Sequence, residues 1–458
     1  SLETIVCAVP RDGIHPTTDK EIRSRLFALG WPAMLENFMQ SAMFMINTAL
    51  AGRLGAEALA GAGIANFTMF FVFGAVFGIG AGTLAMVARA YGANNIEEAI
   101  AAGRQGIILA IALTLLVVVL FMVYARQIMQ LVGAEPAIVD IGTPYLVVGA
   151  AFLPFQTVVV IIGSIMRGHG DTRTPMVAAV LMAGLDLLIG VLLVFDIAGP
   201  RGLGLTGIAI AMSVARIFAA IFILWAARRS PLRAAVIGRY RVDINMLKRL
   251  SRVAGPAALE QMITIGGIMA FSIIGLRLGT TSFAAQNVIG PIISIAFMPS
   301  MGLGIAASAA VGQSLGAADP ILAYRFGRQA AVWGLLLSSL VALLVILFPR
   351  LLLAVFTTDI TVIDAGETPL RVIGFFIPAI GLGTTLPGAL RGAGDTRAML
   401  LISLVTLWAI RVPLAIILGL VAGFGLTGLW IGAGVNYIVL SIAAIVRFAS
   451  GRWQHIRL

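Results

Sequence analysis

Long apolar runs, each closed by charged residues, glycine or proline, follow one another along almost the whole chain. Their lengths suit membrane spans, which take about 20 residues each. The pattern predicts twelve helices over 26–50, 59–88, 102–124, 141–165, 176–195, 205–226, 253–275, 283–313, 329–348, 369–389, 399–420 and 425–446. Between and around them lie a cytoplasmic N-terminal tail (1–24), an N lobe of six helices (25–226), a basic cytoplasmic linker (227–252), a C lobe of six helices (253–447) and a cytoplasmic C-terminal tail (448–458). The first 24 residues carry charges throughout and no apolar core, so no cleaved signal is expected there.

Basic residues fix the orientation. Only Arg53, Arg126, Arg201, Arg277 and Arg350 fall in outer loops, and Arg216, Arg371 and Arg411 fall within spans; the rest of the 31 lie in segments that share one side. By the positive-inside rule that side is cytoplasmic, and both termini lie there. The expected location is a bacterial-type inner membrane, crossed many times.

Composition agrees. Of 458 residues, 60% are hydrophobic and 11% charged, with mean hydropathy +1.03. Disordered chains are poor in apolar residues, and so few charges could not cover a soluble core. The net charge of +11 is explained by the inner loops, so nucleic acid is not an expected partner; the bilayer is. The single cysteine, Cys7, excludes an intrachain disulfide.

The chain repeats itself. A shift of 224 residues aligns Pro32-Ala33-Met34-Leu35-Glu36 with Pro256-Ala257-Ala258-Leu259-Glu260, Arg53-Leu54-Gly55 with Arg277-Leu278-Gly279, and Gly78 and Gly80 with Gly302 and Gly304. It also aligns Gly103-Arg104-Gln105 with Gly327-Arg328-Gln329, and the loop Arg167 to Arg173 with Arg391 to Arg397. A later echo, Gly204-Leu-Thr-Gly207 against Gly425-Leu-Thr-Gly428, has slipped by three. Six helices per repeat bring both halves into the membrane the same way up. The predicted fold is therefore an all-α polytopic membrane protein with two six-helix lobes, related by a pseudo-two-fold axis along the membrane normal. Two lobes of this kind suit alternating access.

These motifs resemble the multidrug and toxic compound extrusion (MATE) family of cation-coupled antiporters. The resemblance rests on the Pro-Ala-x-Leu-Glu starts of helices 1 and 7, the Gly-Arg-Leu-Gly end of helix 1 and the doubled Arg-Gly-x-Gly-Asp-Thr-Arg loops. Gln313-Ser-Leu-Gly-Ala317 and Trp408-Ala-Ile-Arg-Val-Pro413 add to it. It covers about residues 25–450. It implies secondary active export of amphipathic, often cationic compounds against an inward proton or sodium flux, with drugs and toxic organic cations as the small-molecule partners. Members commonly carry a Val-Asp-Thr stretch near the end of helix 1, where this chain reads Ile46-Asn47-Thr48. Either coupling runs through other carboxylates or Asn47 stands in for the neutral aspartate.

The ionisable residues deep in the predicted spans are Glu36, Asp186, Arg216, Glu260 and Arg411. Such groups usually face the protein interior or a wet cavity. Glu36, Gln40, Met43 and Asn47 share one stripe of helix 1; their equivalents in helix 7 are Glu260, Thr264, Gly267 and Phe271. A carboxyl group in an apolar cavity favours its neutral form, so it can exchange a proton between two access states while a cationic drug competes for the same oxygens. Glu36 and Glu260 are candidates for that role, or for fixing helix contacts by accepting hydrogen bonds. The resemblance points to Asp186 as well, since some branches place a cation-linked aspartate in helix 5; pairing with Arg216 is its structural alternative. Arg411 falls one position from the equivalent of Asp186, which suits either a contact with that acid or helix packing. Gln156 and Asn436 are cavity-lining candidates, alongside service as interhelical glue.

Other patterns point away from further chemistry. Gly78-Ile-Gly80-Ala-Gly82 reads as close helix packing, since no strand precedes it. No phosphate-binding Walker sequence, cofactor motif or His/Asp-rich cluster suggests an enzyme. His15, His169, His455 and Cys7 lie outside the spans and make no metal site; sodium, in place of the favoured proton, would use the same acids. Gly170-Asp171 and Gly394-Asp395 read as turns with a capping acid, flanked by inside-facing arginine anchors. A lipid-linked oligosaccharide flippase is the rival function and predicts an Arg/Lys-lined cavity. The mechanism needs only a monomer.

Overall fold

The computed structural model describes residues 18–133, 135–194, 203–456 and 458. The predicted tail up to residue 17, with Cys7 and His15, and the loop residue Arg201 lie outside the described residues. In chain order the helices are α1 (Asp19–Arg53), α2 (Ala56–Gly92), α3 (Ile96–Leu131), α4 (Pro136–Ala151), α5 (Leu153–His169), α6 (Arg173–Val194), α7 (Gly204–Ala227) and the short α8 (Arg233–Val236). They continue with α9 (Ile244–Leu276), α10 (Thr280–Gly316), α11 (Pro320–Leu347), the short α12 (Pro349–Ala354), α13 (Ile360–Gly374), α14 (Ile377–Gly392), α15 (Thr396–Val421) and α16 (Gly425–Ala449).

Nine of these helices are long and apolar enough to cross a membrane, and two bent pairs add two spans. With the 35-residue α1, whose mean hydropathy is lowered by its charged first turns and by Glu36 and Gln40, this gives the twelve spans of the predicted all-α fold. The bent pairs correct two predicted elements. The runs 141–165 and 369–389 are not single helices: α4 and α5 meet at 45°, and α13 and α14 at 54°. The cause is a proline at the second position of α5 and of α14, Pro154 and Pro378. Proline has no N–H to donate back, and its ring clashes with the carbonyl one turn earlier. The two prolines are repeat equivalents, so the break was duplicated with the rest.

The chain forms two compact units, Leu35–Ala258 and, with 18–34, Leu259–Leu458. The boundaries fall inside α1 and α9, so each unit holds five complete spans and part of both helices. Residues 227–252 fold onto the first unit. Arg104 donates twice to the Ala234 carbonyl (2.9 and 2.7 Å), Gln105 Nε2 donates to the Arg241 carbonyl (2.9 Å), and Arg249 pairs with Glu98 at 2.6 Å. Helix starts are set locally: Asn95 and Glu98 cap α3 reciprocally, and Asp319 accepts from Leu322 N at the start of α11. Gly55 and Gly279, again equivalents, adopt φ of 113° and 99°, which suits glycine.

Packing within each unit relies on small residues. A Cβ built at Gly78 of α2 would strike the Ala258 backbone of α9, and one at Gly302 of α10 would strike Met34 of α1. Small residues let membrane helices approach where lipid supplies no hydrophobic drive between them. In the second unit Ile22, Leu26 and Leu29 of α1 pack on Ala306, Ala307 and Ala310 of α10 and Leu390 of α14. The outer face of α3 is apolar and exposed at Leu115, Leu116, Val119 and Val123, as a lipid-facing surface requires. Gly78→Val should cost about 1–3 kcal/mol by overpacking and lower the thermal midpoint of the purified protein. Gly63→Ala, where a Cβ meets nothing within 4 Å, should leave that midpoint unchanged or higher.

Candidate functional site

Inside the first unit, five helices bring polar groups together. Asn47 of α1 donates through Nδ2 to Asp186 Oδ2 of α6 at 2.7 Å, and both side chains are buried, at 5% and 1% exposure. The second oxygen of each, Asn47 Oδ1 and Asp186 Oδ1, has no donor. Beside them Tyr145 of α4 donates to Asn66 Oδ1 of α2 at 2.9 Å and lies 3.4 Å from the Met212 sulfur of α7. Arg216, also on α7, donates to the Gly149 carbonyl at 3.0 Å, and its positive charge is felt at Asp186 and Tyr145. Asp186 therefore takes Asn47, not Arg216, as its direct partner. A carboxylate with one free oxygen beside an amide with one free oxygen is a seat for a small cation.

Glu36 and Glu260 stand differently. Arg167 Nη1 reaches both oxygens of Glu36 at 2.8 and 2.9 Å. Arg391 binds Glu260 through Nη2 (2.6 Å) and Nε (3.2 Å), and Ser403 Oγ adds a third donor at 3.1 Å. Both pairs span 131 residues of chain and join repeat-equivalent positions. Each glutamate is the second residue after a unit boundary, four residues beyond Pro32 or Pro256. Each pair thus fixes α1 or α9 to the unit that the helix has just joined.

The remaining sequence candidates are scattered. Gln40 is half-buried one turn after Glu36. Gln156 of α5 and Asn436 of α16 are buried, each with an unmatched side-chain oxygen. Arg411 lies in the second unit over the ring of Phe271. Among the described residues no cluster of histidine, cysteine or acid suits a metal ion. The doubled loops divide: Asp171 caps α6, accepting from Thr174 N at 3.0 Å, whereas Asp395 does not cap α15 and instead pairs with Arg447 at 2.6 Å. The cap is lost because Arg447 competes for the carboxylate.

Sequence reasoning missed Arg167 and Arg391 as partners of the two glutamates, taking them for inside-facing anchors. The signal was present: a glutamate and an arginine recur at the same separation in both halves. Removing one partner of a buried pair strands the other, at about 3–5 kcal/mol. Glu260→Gln should therefore lower the thermal midpoint sharply, and the double variant Glu260→Gln/Arg391→Gln should recover at least half of that loss. Additive losses would show that the pair is not coupled.

The MatE family model matches residues 32–192 and 256–417, two segments offset by the length of the repeat. A probable multidrug resistance protein NorM of Thermotoga maritima is 28% identical over 437 residues, covering 95% of this chain and 94% of that one. A protein of the same description from Deinococcus radiodurans is 32% identical over 448 residues, covering 94% and 96%. Among solved structures, the Vibrio cholerae MATE transporter VcmN superposes with a TM-score of 0.88 at 22% identity, covering 95% of this chain and 98% of that one. With the fold, the repeat and these matches in agreement, this chain belongs to the MATE family.

Proposed function

We propose that this protein is a secondary active multidrug exporter that moves amphipathic, often cationic compounds out of the cell in exchange for an inward cation. The names of its relatives support the multidrug reading. The observation that carries the exchange is the buried Asn47–Asp186 contact with its two unmatched oxygens. An acid in that position is costly unless something neutralises it, and a proton or a cationic drug does so in turn. Mutual exclusion at one carboxylate, together with two access states, is sufficient for antiport. Two unmatched oxygens are enough to seat a proton and few for a sodium shell, so the proton is the favoured ion.

In this reading Asp186 does the exchanging and Asn47 orients it. Glu36 and Glu260, already compensated by arginine, hold α1 and α9. Inward movement of one charge down 100 mV supplies about 2.3 kcal/mol, enough for a gradient of about fiftyfold. The lipid-linked oligosaccharide flippase is less well supported, because the first unit offers an acid where that substrate's pyrophosphate would want bases.

The test is ethidium transport in proteoliposomes under separately imposed proton and sodium gradients, with the membrane potential clamped. A proton gradient alone should drive it, and Asp186→Asn should cut the driven rate at least about tenfold, as expected for removal of a group used at every turnover. Undiminished proton-driven transport by Asp186→Asn would overturn the assignment. Drive by sodium alone would overturn the choice of ion.

A further inference from the structure

In the second unit, the place equivalent to the Asn47–Asp186 contact carries the opposite charge. Under the repeat, Asn47 corresponds to Phe271 and Asp186 to Ile410; in the slipped part, Arg216 corresponds to Tyr437. Residues Val405–Arg411 of α15 are wound as a π-helix, as are Ile417–Val421. Pro413, which has no N–H to continue the α-helical ladder, lies between them. A π turn inserts one residue and is frequent at functional sites. It brings Arg411, not Ile410, to the position that Asp186 holds in the first unit. The contacts agree: the Arg411 guanidinium lies 4.1 Å from the centre of the Phe271 ring and 5.9 Å from that of Tyr437.

Arg411 is 6% exposed, and its Nε has no hydrogen-bond partner. Among the described residues no carboxylate pairs with it. Aromatic rings from three helices surround it. Phe271 of α9 meets Trp430 of α16 edge-on at 5.3 Å, and Phe297 of α10 meets Tyr437 of α16 at 5.5 Å. Trp430 Nε1 is buried and unmatched as well. Cation–π contact offsets part of the cost of a guanidinium in a membrane interior, yet it leaves the planar fork of N–H donors unmet. What the cluster lacks is an anionic acceptor with a flat apolar body.

We infer that Arg411, with Phe271, Trp430 and Tyr437, forms a binding site in the second unit for the carboxylate of an aromatic substrate. The guanidinium holds the carboxylate bidentately, the indole N–H is a further donor, and the rings cover the arene. Acidic and zwitterionic aromatic compounds thereby join the cationic ones as substrates. This extension rests on the transport reading above for its route to solvent, while the binding itself is measurable without transport.

The experiment is calorimetric titration of the full chain in nanodiscs with 2-naphthoate, methyl 2-naphthoate and sodium chloride. The acid should bind saturably, and the ester, which cannot accept two charge-assisted hydrogen bonds, at least about tenfold more weakly. Arg411→Gln should abolish binding of the acid. Arg411→Lys should weaken it, because an ammonium keeps the charge and loses the fork. Binding of the acid should survive in Asp186→Asn, so failure of the exchange reading and failure of this one stay distinguishable. Equal affinity for acid and ester overturns the inference, as does unchanged binding by Arg411→Gln. Chloride binding without naphthoate binding assigns the site to an inorganic ion and also overturns it. If Arg411→Gln does not fold, the acid–ester comparison on the unaltered chain decides the matter.

Discussion

A charge held in hydrocarbon must be compensated, and the ways in which this chain compensates its few deep charges organise the rest of its structure. A single charged residue at mid-bilayer costs about 2.5–3.5 kcal/mol on insertion scales. Glu36 and Glu260 meet that cost with arginines from the doubled loops, and in doing so tie α1 and α9 to their units just past the boundaries between them. Asp186 meets it only in part, through one hydrogen bond from Asn47. The partly compensated acid is the one with a free oxygen left for a transported cation. Full compensation makes an anchor, and partial compensation makes an exchanger.

The duplication shows how one scaffold acquires two chemistries. The glutamate–arginine pairs, the glycines at the ends of α1 and α9, the close approaches at Gly78 and Gly302 and the proline breaks at Pro154 and Pro378 are all kept in both halves. Each serves packing or backbone geometry, which both units need alike. The symmetry fails where no packing rule demands a residue: Asn47 and Asp186 face one way chemically, Phe271 and Arg411 the other. Divergence confined to those positions fits two units that share a fold and differ in what they bind.

Much of this was legible in the sequence. Hydropathy located the spans, arginine and lysine set their orientation, and the repeat paired the helices. Asp186 and Asn47 were each singled out, and their contact brings both candidates into one site. What the sequence hid came from packing in three dimensions. Phe152 and Phe376 lie in uninterrupted apolar runs, so hydropathy joined helices that proline had broken. Arg167 and Arg391 sit at helix ends among other basic residues, and nothing local distinguishes an anchor at the membrane surface from a side chain turned inward to a carboxylate. The π turn before Arg411 adds a residue without changing the hydropathy pattern, so the equivalence of Arg411 and Asp186 appeared one position out of register.

Proton release on drug binding tests the central claim most directly. Ethidium added to the purified protein in weakly buffered solution, at a pH where the resting site holds its proton, should release about one proton per bound drug, as linkage requires when two cations compete for one carboxylate. The release should vanish in Asp186→Asn and persist in a folded Glu260→Gln variant. Equal proton release from Asp186→Asn and the unaltered protein would contradict the division of labour among the three acids.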